Sequence, residues 1–260
     1  MSAMDRIGGQ LANGKVIVVG MGEVGQPLFQ ILNKHFDCIA VDLQPVEVAE
    51  RCEVMHICYP FQIPDFVGIT AQYIGKYDPE LTIIHSTVAP GTTRKVQDCN
   101  PGKRVIFSPV RGKHVRMQQD MLFYKKFVAG FESNAVEDAR RHFERAGMQT
   151  DVFRTPEVAE LSKLLETTYL GILVGWAQEV ERLAAEVGAS FEEVATFVKE
   201  VSFLPSHVFP GFIGGHCVMP NIAILRRQFT SDFLDAIVRS NQAKAAADEA
   251  KLSLGQVAND

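Results

Sequence analysis

Two stretches of this chain carry side chains able to make or break bonds. Pro210-Gly-Phe-Ile-Gly-Gly-His-Cys217 is a glycine-rich loop that ends on a histidine and a thiol. A lone cysteine usually fills a core as a small hydrophobe. One presented by consecutive glycines beside His216 is better suited to act as a thiolate nucleophile. Upstream, Lys163 and Thr167 stand four residues apart, and Gly171 and Gln178 continue the same helical strip. A helical lysine ordinarily faces water, but on a helix buried on both faces it becomes a tunable cation.

Two more stretches suit ligands rather than bonds. Gly20-Met-Gly22-Glu23-Val24-Gly25 has the spacing G-x-G-x-x-G. It follows the β-branched run Val16-Ile-Val-Val19 and opens a helical pattern from Val24 to His35, and Asp42 closes the next strand-like run 22 residues after Gly20. In that context the glycines permit a tight turn, the helix N-terminus attracts a pyrophosphate, and the acid reaches a ribose. An acid at 42 favours NAD over NADP, with Gln44 leaving the second open. Ser108-Pro-Val-Arg-Gly-Lys-His-Val-Arg116 gathers Arg111, Lys113, His114 and Arg116 after another strand end. It reads either as a site for a substrate anion or as a solvated basic loop.

These residues need a frame to hold them. Cys38–Asp42, Val54–Cys58, Leu81–His85, Arg104–Phe107 and Lys126–Ala129 read as further buried strands, several bounded by Pro or Gly. Strands alternating with helices predict an α/β fold with a doubly wound parallel sheet over residues 14–154. The pattern changes at Thr155-Pro156-Glu157, a helix start with its cap, its proline and its first-turn acid. Apolar residues then recur at helical spacing to Val187, with Gly188 as the stop. Ser190-Phe-Glu-Glu193 is a capping box, and Phe233 to Leu254 reads as a last helix. Residues 155–260 are therefore expected to be all-helical with one long central helix. Its middle is apolar nearly all round, which predicts a homodimer through 156–187.

The 260 residues carry 26 Lys+Arg against 31 Asp+Glu and 47% hydrophobic residues, the balance of a globular chain with a sizeable core. The slight acidity gives no global attraction to nucleic acid, and the longest apolar stretch, Tyr169 to Ala177, falls short of a membrane span. The N-terminal residues lack the layout of a secretory signal. Five cysteines (38, 52, 58, 99 and 217) show no metal spacing, so reduced thiols, no metal and a cytoplasmic location are expected.

Taken in order, Gly20-x-Gly-x-x-Gly25, Ser86-Thr-Val-Ala-Pro-Gly-Thr-Thr93, Ser108-Pro, Ala159-Glu-Leu-Ser-Lys163 and Gly211-Phe-Ile-Gly-Gly-His-Cys217 resemble the UDP-glucose/GDP-mannose dehydrogenase family. The resemblance implies a Rossmann-type domain and oxidation of a sugar primary alcohol to the carboxylate with two NAD⁺. It implies that Cys217 traps the aldehyde as a thiohemiacetal and that Lys163 stabilises developing oxyanions. Thr87 falls on a threonine near the nicotinamide and a catalytic water. The expected cofactor set is Gly20, Gly22, Glu23, Val24, Gly25, Asp42, Tyr59, Ser86 and Thr87; Thr167 and Asn221 join the expected catalytic set.

The departures from that pattern are specific. Val110 stands where the family has an acid after Ser-Pro, Thr167 replaces an asparagine, and Asn221 replaces an aspartate. The segment between Asp42 and Val54 is short, so a helix there is expected to be reduced or lost, and a third, nucleotide-binding domain is expected to be missing. The missing groups are those that manage protons and water. The expected activity is an NAD-dependent oxidation of an anionic, sugar-type substrate through Cys217 and Lys163, with His114 or His216 as substitute base. Two rivals remain: a two-domain 3-hydroxyacid-type dehydrogenase using Lys163 without covalent catalysis, and an impaired NAD-binding or scaffold protein.

Overall fold

Short aliphatic runs punctuated by glycine and proline assemble into a seven-stranded sheet. A computed structural model describes residues 14–43, 46–202, 205 and 208–257; the side chains of 114 and 251–257 lie outside that description. In chain order the elements are β1 (Lys15–Val19), α1 (Gly25–Leu32), β2 (Cys38–Val41), β3 (Cys52–Ile57), α2 (Phe66–Tyr77), β4 (Leu81–Ile84), α3 (Thr92–Cys99), β5 (Val105–Phe107), α4 (Met117–Phe123), β6 (Lys126–Gly130), α5 (Ser133–Arg145), β7 (Thr150–Val152), α6 (Pro156–Glu186), α7 (Phe191–Lys199), α8 (Val218–Arg226) and α9 (Asp232–Val257). The chain forms two compact units, Met1–Lys163 and Leu164–Asp260.

In the first unit the strand order is β2-β1-β3-β4-β5-β6-β7. Alternate residues of β1 serve opposite faces. Val16 and Val18 join a core with Leu28, Ile31 and Phe143, and Ile17 and Val19 join one with Phe66, Ile74 and Val96. Covering both faces is what makes each strand a nearly continuous apolar run. Each aliphatic side chain so buried stabilises the unit by about 1.5–3 kcal/mol. The order reverses between β1 and β3, so the loops after β1, β2, β3 and β4 open where ligands of such sheets bind.

The sheet is mostly parallel, as expected, with β6 antiparallel to β5 and β7 parallel to β6. An antiparallel neighbour starts at the end where its predecessor stops. The connection from Ser108 to Lys125, with α4 and a 3-10 turn at His114–Arg116, therefore stays at the carboxyl ends of the parallel strands. β7 was absent from the sequence reading because Thr150-Asp-Val is three residues with no apolar run; it pairs with β6 at the sheet edge. Among the described residues between β2 and β3 there is no helix, as the short segment there predicts.

The second unit is helical. α6 has 31 residues, about 46 Å at ~1.5 Å per residue, and starts at the expected Thr-Pro-Glu. Gly171 lets α8 and α9 pack tightly on it, since a Cβ there would lie 2.9 Å from Val218 and 3.3 Å from Ile222. The capping box of α7 forms as spelled: the Ser190 side chain accepts from the Glu193 N–H, and the Glu193 carboxylate accepts from the Ser190 N–H. Tyr169, Trp176 and Leu183 on α6 stay exposed. Among the described residues no helix is long and apolar enough to cross a membrane.

Candidate functional site

The Gly20–Gly25 turn is built as its spacing demands. Gly20 has φ +91°, and a Cβ there would lie 2.6 Å from the Tyr59 nitrogen, because its own N–H reaches across to Val41 O at 2.8 Å and holds it between strand ends. A Cβ at Gly25 would overlap the Gly20 carbonyl oxygen. Gly22 is exposed with nothing within 4 Å of a Cβ position, so the mouth of the turn is clear. Glu23 is exposed beside it, and Val24 is the N-cap residue of α1. Asp42 is exposed one residue past β2; Gln44 lies outside the described residues. This cradle, with its clear mouth and an acid at the next strand end, fits a dinucleotide's pyrophosphate and ribose.

Tyr59 and Ser86 extend this edge. The Ser86 hydroxyl donates to Tyr59 O at 2.6 Å, and the Tyr59 hydroxyl donates to Thr70 Oγ1 at 2.6 Å, whose own proton goes to Phe66 O. Burial pushes the Tyr59 phenol up, so it stays a neutral donor. Thr87 is half-buried next to Ser86. The loop that follows is held by Glu160, which sequence reasoning did not single out. Its buried carboxylate accepts from the Gly91 N–H at 2.6 Å, and from the Thr93 N–H and hydroxyl at 2.8 and 2.6 Å. α3 has no side-chain cap of its own, so Glu160 caps it from α6.

The basic loop is divided. Arg111 stacks its guanidinium over Phe127 (4.8 Å) and Tyr124 (5.5 Å) and donates to Lys125 O. Arg116 pairs with buried Asp120 at 3.2 Å, and the Lys113 N–H donates to the same carboxylate. The Lys113 side chain is exposed; that of His114 lies outside the described set. Val110, the position of the lost acid, is buried in the core with Met117 and Met121.

The second unit brings two of the departures together. Asn221 Nδ2 donates to Thr167 Oγ1 at 2.9 Å, and Thr167 passes its own proton to Leu164 O. Cys217 is the N-cap residue of α8 and is exposed, one turn before Asn221. His216 is exposed beside it. The loop leading to Cys217 is pinned from below. Gln178 Nε2 donates to Gly211 O at 2.7 Å, and the Asn241 amide accepts from the Ile213 N–H at 2.7 Å and donates to Ile213 O at 3.1 Å. All five cysteines are thiols. Lys163 is half-buried on α6 in the first unit.

Residues 157–243 match the model of the UDP-glucose/GDP-mannose dehydrogenase family, central domain. That segment runs from the start of α6 through Lys163, Thr167, Cys217 and Asn221 to α9. That segment is similar to the family's central domain. The chain is 23% identical, over an alignment of 258 residues, to a UDP-N-acetyl-D-mannosamine dehydrogenase of Methanococcus vannielii. The match covers 78% of this chain, which spans 59% of that relative's length. Among solved structures, the UDP-N-acetylmannosamine dehydrogenase of Pyrococcus horikoshii superposes with a TM-score of 0.80 at 18% identity, covering 94% of this chain and 72% of that one. A 3-hydroxyisobutyrate dehydrogenase of Mycobacterium tuberculosis shares the fold at TM-score 0.65 and 12% identity, covering 90% and 93%.

Proposed function

We propose that the protein is an NAD-dependent dehydrogenase that oxidises a primary alcohol on a nucleotide sugar or a related anionic sugar. The observation that carries this reading is the central-domain match, because the matched segment holds both Lys163 and the Gly-Gly-His-Cys217 loop in family order. NAD⁺, when bound, supplies the hydride acceptor. Gly20, Gly22 and Gly25 would seat its pyrophosphate at the N-terminus of α1, Asp42 would take the ribose hydroxyls, and Tyr59, Ser86 and Thr87 would border the remainder. The Cys217 thiolate adds to the aldehyde carbon to give a thiohemiacetal, and Lys163 donates to the oxygen that gains charge. Asn221 and Thr167, bonded to each other, offer an amide and a hydroxyl for substrate contacts but no carboxylate to take a proton. Lys113 is the best placed residue of the basic loop to meet an anion, since Arg111 and Arg116 already have partners. The exposed Tyr169, Trp176 and Leu183 support pairing of α6 with its copy in a homodimer.

The test is NADH formation with NAD⁺ and a panel of nucleotide sugars, followed by intact-mass analysis of Cys217. Turnover with a substrate-sized adduct that disappears in Cys217→Ser supports covalent oxidation. No reduction of NAD⁺ by any nucleotide sugar, sugar phosphate or hydroxy acid sinks the enzyme reading. A second reading is favoured by the missing acids at 110, 167 and 221: simple hydride chemistry on a 3-hydroxyacid with Lys163 and no thioester to hydrolyse. Unchanged turnover in Cys217→Ala selects it.

A further inference from the structure

Four basic side chains lie in a row inside the first unit, where doubly covered strands ordinarily carry only apolar residues. They are Lys126 on β6, His85 just past β4, His56 on β3 and His142 on α5, none more than 3% exposed. Lys126 Nζ lies 3.0 Å from His85 Nδ1; His85 Nε2 lies 2.9 Å from His56 Nδ1; His56 Nε2 lies 3.1 Å from His142 Nε2. Lys126 Nζ also donates to Ser108 O at 2.8 Å and Pro109 O at 3.0 Å. The far end, His142 Nδ1, is buried with no hydrogen-bond partner. Each contact joins two nitrogens, so each holds one proton that either side can own.

Two proton arrangements that leave every imidazole neutral satisfy each link in one common direction. In the charged one, Lys126 is an ammonium that donates to His85 Nδ1, His85 Nε2–H donates to His56, and His56 Nε2–H donates to His142 Nε2. His142 then keeps its proton on Nδ1. In the neutral one every link is reversed. His142 Nε2–H donates to His56, His56 Nδ1–H to His85, and His85 Nδ1–H to the amine lone pair of Lys126. Simple loss of a proton from Lys126 without reversal would leave its amine two N–H donors for three acceptors, His85 Nδ1, Ser108 O and Pro109 O, so its lone pair would face one of theirs. Two observations favour the neutral form. His85 Nδ1 lies 2.8 Å from Ser108 O, a contact that wants a proton on Nδ1, and a buried acceptor without a partner at His142 is cheaper than a buried N–H without one.

We propose that Lys126, His85, His56 and His142 form a one-proton relay that crosses the sheet from the Ser108-Pro109 turn to α5. Discharge proceeds by four balanced transfers with no change in electron count. An N–H bond breaks at Lys126 Nζ as one forms at His85 Nδ1. The Nε2–H of His85 passes to His56 Nδ1, that of His56 passes to His142 Nε2, and the proton on the buried His142 Nδ1 passes to solvent when α5 opens locally. The charges that face the row are cationic apart from one thiol. Cys58 just past β3 raises Lys126, Lys163 from α6 and Arg111 from the β5–β6 connection lower it, and Arg145 from α5 lowers His142. Burial dominates all of them and pushes Lys126 down to about 7, so both arrangements are populated near neutrality.

The relay begins at the turn that precedes Val110 and so supplies a proton acceptor where the family acid is missing. That link rests on the dehydrogenase reading; the relay itself does not. Two-bond proton–nitrogen NMR of ¹⁵N-histidine protein, from about pH 6 to about pH 9, reads the tautomers directly. His85, His56 and His142 should exchange Nδ1 and Nε2 protonation together, with one shared midpoint. Fixed tautomers across the range, or three separate midpoints, overturn the relay, and this measurement needs no variant. In His56→Leu, His85 should still switch with Lys126 and His142 should not; a switch retained at His142 overturns it. In turnover assays, His56→Leu should lower kcat at unchanged KM on the acid side of the profile. An unchanged kcat removes the link to catalysis while leaving the tautomer result standing.

Discussion

Glu160 offers the sharpest test of how the site edge is held. Its carboxylate is fully buried and takes three donors at the start of α3, two of them backbone N–H groups. α3 has eight residues and no side-chain cap, so its order depends on this contact rather than on helix propensity. Glu160→Ala strands those three donors, each costing about 1–3 kcal/mol. With the Thr93 hydroxyl free to rotate, the expected loss is about 3–5 kcal/mol, or roughly 10 °C in Tm for a unit of this size. Glu160→Gln keeps the Thr93 contacts through its carbonyl oxygen but turns an amide toward the Gly91 N–H, at about 1–3 kcal/mol. Urea unfolding followed by circular dichroism measures the global loss. Hydrogen exchange at the Gly91 and Thr93 amides measures the local one, expected to accelerate by on the order of 100-fold. If Glu160→Ala unfolds within 1 kcal/mol of the parent, or protection of those amides is unchanged, the carboxylate is not what caps α3.

Two further outcomes follow from the geometry. Gly22→Ala meets no atom and should fold with stability within about 0.5 kcal/mol of the parent, yet lose tenfold or more in NAD⁺ affinity by calorimetry; unchanged affinity would show that the turn is not the pyrophosphate seat. Gly25→Ala, by contrast, overlaps the Gly20 carbonyl and should destabilise by about 1–3 kcal/mol before any ligand is added. Stability should also rise with pH between about 7 and about 8. The folded Lys126 there sheds the proton that the unfolded chain still binds, giving up to ~1.4 kcal/mol per pH unit. Above that range the buried thiols of Cys38, Cys52 and Cys58, pushed up to about 12, act in the opposite sense. Lys126→Met should flatten the slope in thermal melts across this window, and a slope that persists would place the proton elsewhere.

The features legible in the sequence were those set by neighbours along the chain. The Gly20–Gly25 spacing needs a tight turn whatever surrounds it, Thr155-Pro156-Glu157 caps its own helix, and the Ser190–Glu193 box closes within one turn. Strands β1 to β6 announced themselves because burial on both faces forces apolar runs. What only the tertiary structure decided were pairings between distant segments. β6 runs antiparallel because its connection returns at one end of the sheet. Glu160 caps a helix 67 residues upstream. Thr167 and Asn221 read as two unrelated departures until a hydrogen bond joined them across 54 residues. The buried basic row left a faint trace, one titratable residue in each of several apolar strands. That those residues meet nitrogen to nitrogen depends on strand register, and register is a property of the folded sheet.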